Sequence, residues 1–276
     1  MVDARMTTYP PTLNEVELAH ARCAAYSLIA HGFRDPDRSW RAELADPARW
    51  AEWPDRLADT HGPAVAPLRA LRALFSGSDE ATAVETLQPR FAALFGHCVR
   101  GACPPYELEF GQGEVIQRAA DLADISGFYA AFGMDLSGEI SERADHVSVE
   151  AEFLAVLCAK EACGLEQGDC ELVEAARDAQ RQFLKSHLGR WLPAFVRRLA
   201  GAAPGDYYSR LAEFADAFVT CECQRCSVSI GSALLPLRPV DPAEDASQSC
   251  GPPGECGATR DPALTQLTVS RAGTGS

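Results

Sequence analysis

Apolar residues in this chain return every three or four positions, and the every-second-residue alternation of a half-buried strand is nearly absent. That rhythm restricts the fold to helices packed on helices. Val16, Ala19, Cys23, Tyr26 and Ile29 mark a first stripe, opened by a Thr12-Leu-Asn-Glu15 capping box and closed near Gly32. Trp40 and Leu44 predict a short second helix, while Trp50, Trp53 and Leu57 predict a third, interrupted at Pro54. Val65, Leu68, Leu71 and Phe75 form the next stripe. A further helix starts at Ser78, runs through Val84 and Leu87, and kinks at Pro89 into Phe91–Phe95.

Between Gly96 and Gly113 the period disappears in glycine- and proline-containing text, which predicts a loop dividing the chain into two helical halves. Helix resumes at Val115 with Ala119, Leu122, Ile125, Phe128, Tyr129 and Phe132 inward, and Gly133 supplies the stop. After a connector from Met134 to Ile140, Ser141 opens a helix expected to reach about Cys163. Cys170 to Leu188 and Trp191 to Ala200 follow, separated at Gly189. The last helix runs from Tyr207 to about Cys226 and buries Leu211, Phe214 and Phe218. Residues 231–276 are rich in Pro, Ser and Gly and read as a disordered tail. The expected architecture is all-α: one helical-bundle domain of about ten helices over residues 1–230, followed by that Cys-containing tail.

Composition narrows the function classes. Twenty-five basic against 39 acidic side chains give a net charge of −14, which disfavours nucleic-acid backbones and anionic lipid and suits basic partners. No apolar run approaches the roughly 20 residues of a membrane span, and no export signal is visible, so the expected address is cytoplasmic. Gly-x-Ser-x-Gly, a phosphate-binding loop and a Rossmann fingerprint are all missing, and no catalytic residue is expected.

The segment Glu142–Phe153 carries the densest chemistry. On a continuous helix, Glu142, His146 and Glu150 would share one face, with Asp145 beside them and acids gathered at the positive N-terminal end. Three readings stand: a capped, solvated helix start; a metal or general-base site around His146 and Glu150; and an acidic dock for a basic peptide. The second lacks ligands, because zinc needs a third and fourth donor and the other histidines stand alone.

Pro104-Pro105-Tyr106-Glu107, Ala123-Asp124-Ile125-Ser126-Gly127-Phe128-Tyr129, Glu142-Arg143-Ala144-Asp145-His146 with Glu150 and Glu152, and His187-Leu-Gly-Arg190-Trp191 together resemble the TorD/DmsD/NarJ redox-enzyme maturation chaperones. The spacing is most similar to chaperones of type II dimethyl sulfoxide reductase-like molybdoenzymes, over about residues 13 to 230. The resemblance implies an all-helical chaperone without its own cofactor. It also implies a cytoplasmic role: binding the twin-arginine leader or apo form of a molybdenum-containing catalytic subunit until its cofactor is inserted. Monomer and domain-swapped dimer are both compatible with it. It carries over Glu142, Asp145 and His146, and the full partner-binding set expected is Tyr106, Glu107, Asp124, Tyr129, Glu142, Asp145, His146, Glu150 and Glu152. Asp145, Glu150 and Glu152 are expected to meet the arginines, with Tyr106, Phe128 and Tyr129 bordering an apolar groove. Arg143 stands where many relatives carry proline, so the stiffness of that hinge is not carried over.

Cys221, Cys223, Cys226, Cys250 and Cys256 support an alternative, a metal- or redox-sensing protein with zinc or an iron–sulfur group on these thiols. Cys221 and Cys223 point to opposite sides of a helix, so such a site requires the last helix to unwind by about Cys221.

Overall fold

The three-and-four rhythm is realised as nine α-helices and one 3-10 turn among the described residues of a computed structural model, which are 13–36, 53–74, 80–96, 101–111, 115–134 and 142–239. The helices are α1 (Leu13–Gly32), α2 (Trp53–Arg56), α3 (Gly62–Ala73), α4 (Glu80–Phe95), α5 (Val115–Ala131), α6 (Val147–Gln167), α7 (Cys170–Ser186), α8 (Leu188–Ala202) and α9 (Tyr207–Arg225); the 3-10 turn is Glu107–Glu109. No strand forms among the described residues, although two isolated bridges pair Tyr106 with His146 and Phe110 with Leu237.

Helix α6 is apolar on nearly every side, the pattern of a helix enclosed by others, and α1 and α7 both lie along it. Helix α9 packs on α3 and on α8. The two halves predicted on either side of the glycine-rich loop therefore interleave: α1 and α3 find their main partners in α6 and α9. Amphipathic α7 buries Val173, Ala176, Ala179, Phe183 and Leu184 and leaves Arg177, Asp178 and Arg181 outside. Gly168, at φ 68°, ends α6 in the left-handed conformation, and Asp169 then caps α7 by accepting from the Leu172 amide at 3.0 Å.

One buried polar hub ties four helices together. Arg22 of α1 donates to Glu222 of α9 at 2.8 Å, to Glu161 of α6 at 2.8 Å and to Gln180 of α7. Arg225 and His61 also hold Glu222, and Arg177 holds Glu161. Arg22 and Arg225 pull the Glu222 carboxyl well below its usual range against the opposing cost of burial. Glu161, with burial again opposing, is drawn down to about 2, chiefly by Arg22.

Four boundaries differ from the sequence reading. The helix expected from Ser141 begins at Val147, because residues 143–146 make a turn and 145–147 pair with the Pro-Pro-Tyr-Glu loop. Glu142, His146 and Glu150 thus do not share a helical face. The break between α7 and α8 falls at His187 (φ −121°, ψ −110°), which leaves Gly189 inside the first turn of α8. A Cβ on Gly189 would stand 2.4 Å from the Leu184 carbonyl oxygen and 2.8 Å from Cys223 Sγ, so the glycine serves close packing there. Pro54 lies in the first turn of α2, where its missing N–H costs nothing, and does not interrupt it.

The fourth difference concerns the tail. Residues up to Pro239 belong to the folded unit. Gly231 N–H donates to the Gly189 carbonyl at 2.9 Å, and the Pro236 carbonyl accepts from Gly111 N–H at 2.8 Å. Arg238 N–H donates to the Glu109 carbonyl at 2.8 Å. This strap lies across the 106–111 loop. The predicted Trp40–Leu44 helix, residues 240–276, Cys250 and Cys256 lie outside the described residues.

Candidate functional site

The site is built on the Pro-Pro-Tyr-Glu loop. Val147 N–H donates to the Pro105 carbonyl and Glu107 N–H to the Asp145 carbonyl, each at 2.8 Å, so residues 105–107 run antiparallel to 145–147. His146 has extended backbone (φ −76°, ψ 139°) and caps α6: its Nδ1 accepts from the Ser148 amide at 3.1 Å. Burial, with help from Arg143 and Arg34, lowers the imidazole to about 3, so it is neutral, with the proton on Nε2 facing Glu142 at 3.9 Å. The Tyr106 ring meets the His146 ring edge-on at 5.1 Å and carries the Arg143 guanidinium 4.5 Å from its centre. Burial and then Glu142 push the Tyr106 phenol up to about 12.

The carboxylates divide into buried and exposed sets. Asp145 is fully buried, bonded by Arg143 at 2.7 Å and by the Leu108 amide at 3.2 Å. Burial raises its carboxyl while Arg143 opposes the shift. Glu150 is also fully buried and accepts from Trp191 Nε1 at 3.0 Å. Burial, with the nearby Glu107 charge, raises its carboxyl well above the usual carboxylate range, and its other oxygen, Oε1, is buried without a hydrogen-bond partner. Glu107 itself is bound by Arg190 at 2.5 Å and by His187 Nδ1 at 3.0 Å. Tyr129 is in the core, donating to the Ala144 carbonyl at 2.7 Å. Glu152 pairs with Arg34 at 2.5 Å. Asp124 is exposed, 3.3 Å from His187 Nε2.

Tyr106, Glu107, Asp145, His146 and Glu150 therefore form one polar wall, with Glu142 at its edge. Asp145 and Glu150 are closed off by side chains of the chain itself and do not face solvent. Of the nine residues of the sequence-derived set, Asp124 stands at the entrance to two hollows. A polar cavity of about 340 Å³ is lined by Glu107, Arg118, Asp121, Asp124, His187, Arg190 and neighbouring groups. An apolar groove of about 410 Å³ runs between α5 and α7 over Ala123, Gly127, Phe128, Ala131 and Phe132 on one side and Ala175, Asp178 and Ala179 on the other. Asp124 lines both. Phe128 borders the groove, whereas Tyr106 and Tyr129 do not line it. The sequence reading gave no role to Asp121, Asp178, His187 or Arg190. The small residues at 123, 127 and 131 follow a four-residue spacing that was legible, but the matching face of α7 was not.

Among the described residues, Cys221, Cys223 and Cys226 form no metal-holding group. Helix α9 continues through Arg225, Cys221 and Cys223 are buried, and desolvation raises both thiols, Cys223 to about 12. Among the described residues no group of three or more His, Cys, Asp or Glu is placed to hold a metal ion. No described helix is long and apolar enough to cross a membrane.

Comparison with known proteins identifies the family. The model of the nitrate reductase delta subunit family matches residues 59–197. The selenate reductase assembly chaperone protein of Thauera selenatis is 35% identical over 142 residues, 50% of this chain and 72% of the relative. The chlorate reductase assembly chaperone protein of Ideonella dechloratans is 36% identical, over 44% of this chain and 61% of the relative. The perchlorate reductase assembly chaperone protein of Dechloromonas aromatica is 25% identical, over 80% and 96% respectively. No solved structure matches the chain.

Proposed function

The chain belongs to the nitrate reductase delta subunit family of reductase assembly chaperones, and from that premise we propose that it binds the arginine-bearing leader of a molybdoenzyme catalytic subunit. A maturation chaperone recognises a client and carries out no chemistry on it. The observation that supports this reading is the junction at Asp124, where the apolar α5–α7 groove meets the polar, carboxylate-bearing cavity. A leader that joins two arginines to an apolar helical stretch has the same order of parts. Its apolar stretch lies over Phe128 and Phe132, and the small residues let a helix approach closely. Its guanidiniums reach Asp124 and Asp121, and deeper in, Glu107. Tyr106, Glu142, Asp145, His146 and Glu150 act indirectly by fixing the loop that carries Glu107. The client is held in the cytoplasm until its cofactor is inserted.

Gly127 gives a clean test. Nothing lies within 4 Å of where its Cβ would stand, and it lines the groove. Gly127→Leu improves helix propensity by roughly 0.8 kcal/mol while filling the groove with an isobutyl group. The expected result is a folded protein of unchanged or higher Tm whose affinity for a synthetic leader peptide, by calorimetric titration, falls about tenfold or more, or about 1.4 kcal/mol. Wild-type affinity in this variant would remove the groove from the binding site.

A further inference from the structure

We propose that Arg190 occupies, in the free chain, the place that a client arginine takes on Glu107, so that binding proceeds by exchange of one guanidinium for another. This rests on the leader-binding reading and adds a self-occupied state to it.

Glu107 is only 3% exposed, yet it forms part of the cavity wall, and the group covering it from the solvent side is Arg190, itself 39% exposed. Arg190 Nη2 meets Glu107 Oε1 at 2.5 Å, and its Nε is held by the Ser186 carbonyl at 3.1 Å. The second carboxylate oxygen is bonded by His187 Nδ1 at 3.0 Å. An incoming arginine therefore finds the most buried carboxylate of the cavity already paired. It gains that partner only by displacing a like group.

The exchange is physically mild. Arg190 is half in water already, so its release needs no unfolding, and Glu107 keeps His187 while the cation changes. A guanidinium from outside reproduces the charge and the planar fork that the carboxylate has lost. His187, which also lines the cavity, is buried, and its Nε2 meets the exposed Asp124 carboxylate at 3.3 Å without hydrogen-bond geometry. The cavity thus offers a deep carboxylate, a rim carboxylate and a buried nitrogen around one space.

The same pairing elsewhere provides a control. Arg210 of α9 is 41% exposed and pairs with Glu213 at 3.0 Å, and neither lines the cavity or the groove. Removing either arginine changes the net charge equally, so general attraction for a basic peptide rises by the same amount in both.

The experiment titrates full-length wild type, Arg190→Met, Arg190→Gln and Arg210→Met with one synthetic peptide bearing two adjacent arginines and an apolar stretch. Thermal unfolding confirms that each variant is folded. Arg190→Gln keeps a hydrogen-bond donor, and serves if the methionine variant is unstable. The expected result is about tenfold tighter binding in the Arg190 variants and less than about threefold in Arg210→Met. Equal gains at both positions would reduce the effect to overall charge and overturn the exchange. Unchanged or weaker binding in folded Arg190 variants, with wild type still binding, would overturn it and leave the docking site intact. Binding by the Arg190 variants alone would support it in its strongest form. Failure of all four proteins to bind would remove the leader-binding reading itself.

Discussion

Arg22→Ala destabilises the fold by about 3–5 kcal/mol in urea unfolding, the cost of breaking a buried charge pair on one side. Arg22 is fully enclosed, and its removal leaves Glu222 and Glu161 in the interior with less positive charge than their ionised forms require. Arg225 and Arg177 remain, but they reach their carboxylates from the surface. Since whole domains are stable by only about 5–15 kcal/mol, the loss is a large fraction of the total. The same hub sets the response to acid. Both folded carboxyls lie below their unfolded range, Glu161 at about 2 and Glu222 well below its usual value. Their stabilising contribution is complete above about pH 4.5 and is lost as pH falls toward about 2. Wild type therefore weakens across that window. In Arg22→Ala the folded carboxyls rise toward their unfolded values, the pH-dependent contribution shrinks, and unfolding followed by circular dichroism comes at higher pH. A variant with wild-type stability at neutral pH would show that the hub is dispensable.

Phe153→Ala costs a comparable amount, about 3–5 kcal/mol, and costs function as well. Phe153 is fully buried beneath the groove, with ring centres 4.8 Å from Phe183, 4.9 Å from Tyr129 and 6.0 Å from Phe132. It is the common floor for α5 and α7. With the ring removed, α5 loses its firmest apolar support, since only Ile125 and Tyr129 of its described side chains are buried. Helical content should stay near wild type while peptide affinity falls by tenfold or more. Phe153→Leu, which keeps most of the volume, should cost less than about 1.5 kcal/mol and retain binding. Equal binding by all three proteins would separate the groove from its floor.

The helices were legible because their signal is local. Leu211, Phe214 and Phe218 repeat at helical spacing, and α9 ends within a residue of its predicted limit. The start of α6 was not legible. Ser141-Glu-Arg-Ala has the composition of a helix opening, but what stops the helix there is the pairing of His146 with Tyr106, 40 positions away and without a local mark. The strap over residues 106–111 was missed for a similar reason: its Pro- and Gly-containing text resembles a tail, and its bonds go to Gly189, Gly111 and Glu109. Arg22 lies one position from the apolar stripe, and its partners are 139 and 200 residues distant. Within the site, Asp124, Glu107 and Phe128 were picked out from motif resemblance. Burial of Asp145 and Glu150 was not, because a carboxylate looks the same in sequence whether it faces solvent or Trp191. The groove needs residues 123–132 and 175–182 side by side, which no single stretch of sequence records.

Amide hydrogen exchange of the full chain, with and without a saturating arginine-bearing leader peptide, tests leader docking most directly. Slower exchange is expected in Val115–Ala131 and Cys170–Ser186, with smaller changes in the 105–111 loop that carries Glu107. A peptide that binds while leaving both helices at their free rates, or protects other helices in their place, would contradict docking in the α5–α7 groove.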